Sequence, residues 1–145
     1  MSFKKGFTLI EIIFVLVVIG VLASIALPKF GETLNQADLV SARSKVAAIR
    51  NGLEIYKSKH LLLGEEPYPD SLEDDNSNLF SKVLSTPTPA SSTRGGWEKE
   101  DNNRYRYYIA SGEYLVFEYD NQAGTFKCIP QDSTISDAQE ICNTF

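Results

Sequence analysis

Hydrophobic and polar positions follow three successive patterns along the chain. Residues 7–27, FTLIEIIFVLVVIGVLASIAL, are nearly all aliphatic, and a single carboxylate, Glu11, interrupts them. As a helix this run spans about 31 Å at about 1.5 Å per residue, close to the roughly 30 Å hydrocarbon thickness of a bilayer. Beyond Pro28 the pattern becomes amphipathic. Leu39, Ala42, Val46, Ile49, Leu53 and Tyr56 recur in steps of three and four, while Asp38, Arg43, Lys45, Arg50 and Lys57 take the other side. The two stretches predict one long helix, apolar all round in its first half, bent at Pro28 or Gly31 and stopping near Gly64. His60, near its end, reads as a helix-terminal surface residue rather than a catalytic one.

The third pattern is β. Prolines 67 and 69 fix a turn in which Tyr68 and Leu72 pack, and a short helix is expected over residues 78–84 with Asn76 or Ser77 as its cap. Residues 85–96 (STPTPASSTRGG) read as a connecting loop, closed by Trp97 as a plug over the sheet. Residues 104–110, 113–119 and 124–129 are aromatic and β-branched runs. In the first, Tyr105, Tyr107 and Ile109 alternate with Arg104, Arg106 and Tyr108; in the second, Leu115, Phe117 and Tyr119 alternate with Val116 and Glu118. They predict a three-stranded antiparallel meander with one face on the helix stripe, since so small a sheet needs support. The expected fold class is therefore α+β: a long N-terminal helix, membrane-spanning in its first half, packed against a small three-stranded antiparallel sheet.

Composition sharpens this picture. The chain has 145 residues, enough for one modest domain, and its 43% hydrophobic content is unevenly spread, a large share of it falling in the first 28 positions. The net charge is -5, which argues against a whole-surface nucleic-acid binder. Lys4 and Lys5 flank the apolar run on one side only, placing the N-terminus in the cytoplasm and the remainder outside it. A charge inside a membrane helix costs roughly 2.5–3.5 kcal/mol at the centre, so Glu11 points to a function with a partner; the bland alternative is tolerance near the headgroups. There is no nucleophile with a neighbouring base, no glycine-rich phosphate loop and no CxxC pair, and histidine occurs once. No enzyme activity, no metal and no cofactor is expected. Glu73, Asp74 and Asp75 read as a solvated cluster at a helix start in preference to a calcium site. Cross-strand packing is preferred for residues 104–108 over stacking on single-stranded nucleic acid.

The N-terminus resembles a known family. Lys4-Lys5-Gly6 followed by Phe7-Thr8-Leu9-Ile10-Glu11 is similar to the processing signal of type IV pilins and of the pseudopilins of type II secretion. The resemblance implies a cut between Gly6 and Phe7 by a prepilin peptidase and methylation of the new Phe7 amine. It makes Glu11 the fifth residue of the mature chain, where the family's carboxylate pairs with the N-terminal amine of a neighbouring subunit during assembly. Gly20 and Pro28 match positions where the family's helix loosens or kinks. Residues 67–72 (PYPDSL) resemble an element that follows the long helix in pseudopilins. The competing reading is a secretory signal peptide cleaved after Ala26, with Ser24 and Ala26 as its small residues; the length of the run and Glu11 weigh against it.

The implied organisation is a leader over residues 1–6, a transmembrane and polymerisation helix over 7–28, and a periplasmic head over 29–145. In an exported chain the two cysteines, Cys128 and Cys142, suggest one disulfide, with two unpaired buried thiols as the alternative. A bond there would pin the polar C-terminal tail to the sheet, much like the disulfide-bounded region of pilins. The expected role is a structural subunit of a type II secretion pseudopilus or a type IV pilus-like filament. Its expected partners are prepilin peptidase, other pilin or pseudopilin subunits and the inner-membrane assembly platform. The alternative is a minor pilin that binds DNA or surfaces, in natural transformation or adhesion, through the 85–96 loop or the tail.

Overall fold

The computed structural model of the chain describes residues 7–101 and 103–145, without the side chains of residues 25–35. The first helix, α1, runs without interruption over Leu9–Leu63. It ends where the sequence places the stop. Gly64 takes φ 73°, its N–H donates to Leu61 O at 3.2 Å, and the Glu65 N–H donates to His60 O at 2.9 Å. This pair of bonds satisfies the last carbonyls of the helix around a left-handed residue that glycine adopts without strain. By internal contacts the chain divides into two compact units, Met1–Gln36 and Ala37–Phe145.

In the first unit the described side chains over residues 9–24 are all exposed, most of them large and apolar. Among the described residues no helix is long and apolar enough to cross a membrane. The span expected over residues 7–27 extends into positions whose side chains lie outside the described set.

In the second unit, Ala42, Val46, Ile49 and Leu53 of α1 are fully buried, which bears out the stripe. They meet one face of an antiparallel sheet with the order β3-β4-β5-β6: β3 (Trp97–Lys99), β4 (Arg104–Ala110), β5 (Glu113–Asp120) and β6 (Thr125–Ile129). Register places Trp97 opposite Tyr107, Tyr107 opposite Leu115 and Phe117 opposite Cys128, so the inward-pointing residues line up across the strands.

The sheet thus has four strands and not the expected three. Trp97 does not cap it from a loop; it opens the extra edge strand, and its ring lies 5.0 Å from that of Tyr107 and 5.1 Å from that of Phe117. A second correction concerns residues 78–84, which form no helix. Asn78–Leu79 (β1) pairs instead with Thr88–Pro89 (β2) in a separate two-stranded ladder. Phe80, at φ 62°, then turns the chain and sends its ring into the core against Trp97 and Tyr105. That left-handed conformation is incompatible with a continuing helix. The chain closes with a 3₁₀ turn at Pro130–Asp132 and a short helix, α2, at Ala138–Cys142.

Candidate assembly site

Of the residues singled out at the N-terminus, the structure describes Phe7, Glu11 and Gly20. Gly6 and the side chain of Pro28 lie outside the described residues. Phe7 is 81% exposed and sits just ahead of α1. Glu11 occupies the first turn, and its environment shows a role that the sequence reading missed. Its backbone N–H donates to Thr8 Oγ1 at 3.3 Å, while the Thr8 N–H reaches the Glu11 carboxylate at 3.5 Å. This reciprocal arrangement is a capping box: each side chain satisfies a backbone donor that the helix start leaves unpaired. The Thr-x-x-Glu spacing was legible in the sequence as such a signal. Carboxylate at a helix start is also favoured by the helix dipole. Glu11 is therefore held in a defined orientation while remaining exposed among Phe7, Ile10, Ile12 and Phe14. Gly20 lies exposed within α1, and a Cβ there would meet nothing within 4 Å.

The head anchors its irregular segments with buried polar contacts. Glu73 is 3% exposed. Its carboxylate accepts from the Tyr105 hydroxyl at 2.8 Å, from Lys99 Nζ at 2.6 Å and from Ser71 Oγ at 2.7 Å. Asp75 instead accepts from the backbone N–H groups of Ser77 and Asn78 at 2.8 and 2.9 Å, and from the Ser77 hydroxyl. Those bonds hold its carboxyl below the usual range. Asp74 turns to Ser81, which leaves the three carboxylates without a common centre. The solvated helix-start cluster expected here is thus replaced by one buried ion pair, one turn cap and one surface acid.

Cys128 and Cys142 form the disulfide, with Cα atoms 5.3 Å apart. Two arginines of α1 hold the same tail. Arg50 donates to Phe126 O at 3.0 and 2.8 Å and to Phe145 O, and Arg43 donates to Thr144 Oγ1 at 2.7 Å. The Phe145 ring packs edge-on against Phe117 at 5.1 Å. His60 stacks on Tyr56 at 3.8 Å and pairs with Glu65 at 2.7 Å, a helix-end surface arrangement.

The outward face of the sheet carries the basic-aromatic segment. Arg104 pairs with Glu118 at 3.0 Å and with Asp132, Arg106 pairs with Glu100, and the Arg106 guanidinium lies 4.8 Å from the Tyr114 ring centroid. Both arginines are committed to carboxylates of the same head, and Tyr108 meets Tyr114 edge-on across the strands. This is the cross-strand packing expected of the segment.

Comparison with known proteins adds four likenesses. The family described as the prokaryotic N-terminal methylation motif matches residues 1–27. The chain is similar to a protein named type II secretion system core protein G from Dickeya chrysanthemi, 33% identical over 123 residues that cover 80% of this chain and 76% of that one. The protein of the same name from Aeromonas hydrophila is 34% identical over 96 residues, 66% of this chain and 63% of the relative, so the chain spans less than two thirds of that relative's length. A type IV major alpha-pilin of Moraxella bovis is 33% identical over 88 residues, 59% of this chain and 54% of the pilin. No solved structure matches significantly.

Proposed function

The chain belongs to the family of type II secretion pseudopilins and type IV pilin-like proteins, and from this we propose that it is a structural filament subunit, not an enzyme. It is made as a single-pass inner-membrane precursor with its N-terminus in the cytoplasm and its head in the periplasm. Prepilin peptidase cuts between Gly6 and Phe7 and methylates the Phe7 amine. The inner-membrane assembly platform then builds the mature chain into a pseudopilus-type filament with other subunits.

The single observation that supports this reading best is the setting of Glu11: a carboxylate fixed by Thr8 on the first turn of a helix whose surrounding side chains are apolar and exposed. In a medium of low dielectric an isolated carboxylate is strongly disfavoured, as is an isolated ammonium. The Phe7 amine of one subunit and Glu11 of the next satisfy each other, and a subunit out of register leaves two charges unpaired. Exposed apolar flanks around the pair bury against neighbouring helices, which both drives association and excludes water from the charges. Gly20 and Pro28 supply points where the helix loosens to fit its neighbours.

Two substitutions at one position separate charge from capping. Glu11→Gln keeps a side chain able to close the capping box and removes the negative charge. The proposal expects Glu11→Gln and Glu11→Ala alike to be inserted and processed yet to yield no filaments. Normal assembly of Glu11→Gln would assign the residue to helix capping and remove the amine-pairing role.

A further inference from the structure

Cys128 and Cys142 are each placed by contacts other than their own bond. Cys128 is set by β6, where it stands across from Phe117. Cys142 is set by a tail that the head holds on both sides of it. Upstream, the Thr134 N–H donates to Tyr114 O at 3.0 Å, the Tyr114 N–H donates to Thr134 Oγ1 at 2.8 Å, and the Val116 N–H donates to Ser133 Oγ at 2.9 Å. These bonds occupy the edge of β5 beyond the end of β6. Ala138 is buried, and Ile135 and Ile141 pack on the core. Downstream, Arg43 donates to Thr144 Oγ1, Arg50 donates to Phe145 O, and the Phe145 ring rests on Phe117.

The fold thus supplies the geometry that a disulfide requires. The two Cα atoms lie 5.3 Å apart, inside the roughly 4.4–6.8 Å that such a bond spans. Neither cysteine is sealed in the core: both are half-buried, which is the access that exchange with a small reagent needs. Exchange proceeds by attack of a thiolate on a disulfide sulfur. In closure, the thiolate of one cysteine attacks an external disulfide, a mixed disulfide forms and a thiolate leaves. The thiolate of the other cysteine then attacks the protein sulfur, the Cys128–Cys142 bond forms and the second thiolate leaves. The external disulfide gains two electrons, and the two thiol protons pass to solvent or to the departing thiolates. A dithiol runs the same steps in reverse. With the bond open the other anchors remain, so the tail stays docked and opens more often.

We infer that the Cys128–Cys142 bond is a redox-operated clasp, closed by exchange on a tail already docked and opened again by a dithiol without dismantling the head. The inference goes beyond the filament reading and does not depend on it, since it concerns the head alone. The test takes the full chain in detergent, adds dithiothreitol at neutral pH without denaturant, then replaces it with oxidised glutathione. Mass after alkylation reads the bond, and the emission of Trp97, the chain's one tryptophan and a buried one, reads the fold. The expected result is complete reduction at a rate proportional to dithiothreitol concentration, native emission throughout, and return of the same bond. Cys128→Ser with Cys142→Ser should likewise keep native emission. Arg43→Ala with Phe145→Ala strips the downstream anchors and should slow reoxidation by at least about tenfold, because a tail that leaves the head lowers the effective concentration of Cys142. A reduction rate independent of dithiothreitol concentration would overturn the inference, since the sulfurs would then be reached only after the head opens. Loss of native emission, on reduction or in the variant without cysteines, would do the same by showing that the bond holds the fold. An unchanged reoxidation rate without the downstream anchors would show that docking does not set up the bond.

Discussion

Tyr105 and Glu73, 32 residues apart in sequence, form a buried hydrogen bond of 2.8 Å that ties the segment after α1 to strand β4. Lys99 of β3 completes the pair as an ion partner, so a single carboxylate joins one loop to two strands. Replacing it leaves a buried hydroxyl and a largely buried ammonium without their acceptor. Glu73→Ala is expected to destabilise the head by about 2–4 kcal/mol, read as a shifted denaturant midpoint. A change within 0.5 kcal/mol would show that the contact is structurally idle.

Gly52 faces the opposite demand, since nothing larger fits. A Cβ at this position would lie 2.0 Å from Val83 O, a backbone atom. Helix propensity alone favours alanine over glycine by about 1 kcal/mol. The clash is the larger effect, so Gly52→Ala should destabilise by about 1–3 kcal/mol through displacement of the 80–84 turn. Stabilisation would mean that the turn moves aside at little cost.

These two residues also show what was legible in the sequence. The helix stripe was readable because its period is local, and so were the three longer strands. The fourth strand was not: Trp97–Lys99 is three residues long, preceded by two glycines and followed by acidic residues, and only pairing with β4 makes it a strand. In residues 78–84, Leu79, Phe80, Val83 and Leu84 recur at helical intervals, yet burial of Phe80 against Trp97 selects a left-handed turn. Burial of Glu73 was invisible for a related reason, because its partners arrive from distant strands. At the N-terminus the Thr8–Glu11 capping box was present in the spacing, and the assembly role expected of Glu11 obscured it.

The disulfide closes a short loop, Cys128 and Cys142 being separated by 14 positions. By loop entropy such a link stabilises by about 3 kcal/mol. The double replacement Cys128→Ser, Cys142→Ser should lose about that much and raise amide hydrogen exchange in α2. Unchanged exchange would mean that Arg43 and Arg50 hold the tail without the covalent link.

Alkaline pH should weaken the head through its buried tyrosines. Burial, with Asp38 nearby, pushes the Tyr107 phenol up to about 12; burial likewise raises Tyr105, which also lies beside the Glu73 carboxylate, and Tyr119. An unfolded tyrosine titrates near about 10. The folded state therefore holds the proton more tightly, so the stabilisation is complete below about pH 10 and is lost as pH rises from there through about 12. Tyr107→Phe removes one such group and its bond to Asp38 O, and the loss of stability over this window should become shallower. An equally steep decline would exclude Tyr107 as a contributor.

The N-terminus of the mature protein tests the central claim most directly. Intact mass and N-terminal sequencing of the chain from its native membrane should show a start at Phe7 with a methylated amine. That result would place Glu11 five residues into the mature chain, where assembly requires it. A start at Leu27 would mean that the apolar segment is a removed signal peptide, and it would contradict the filament account.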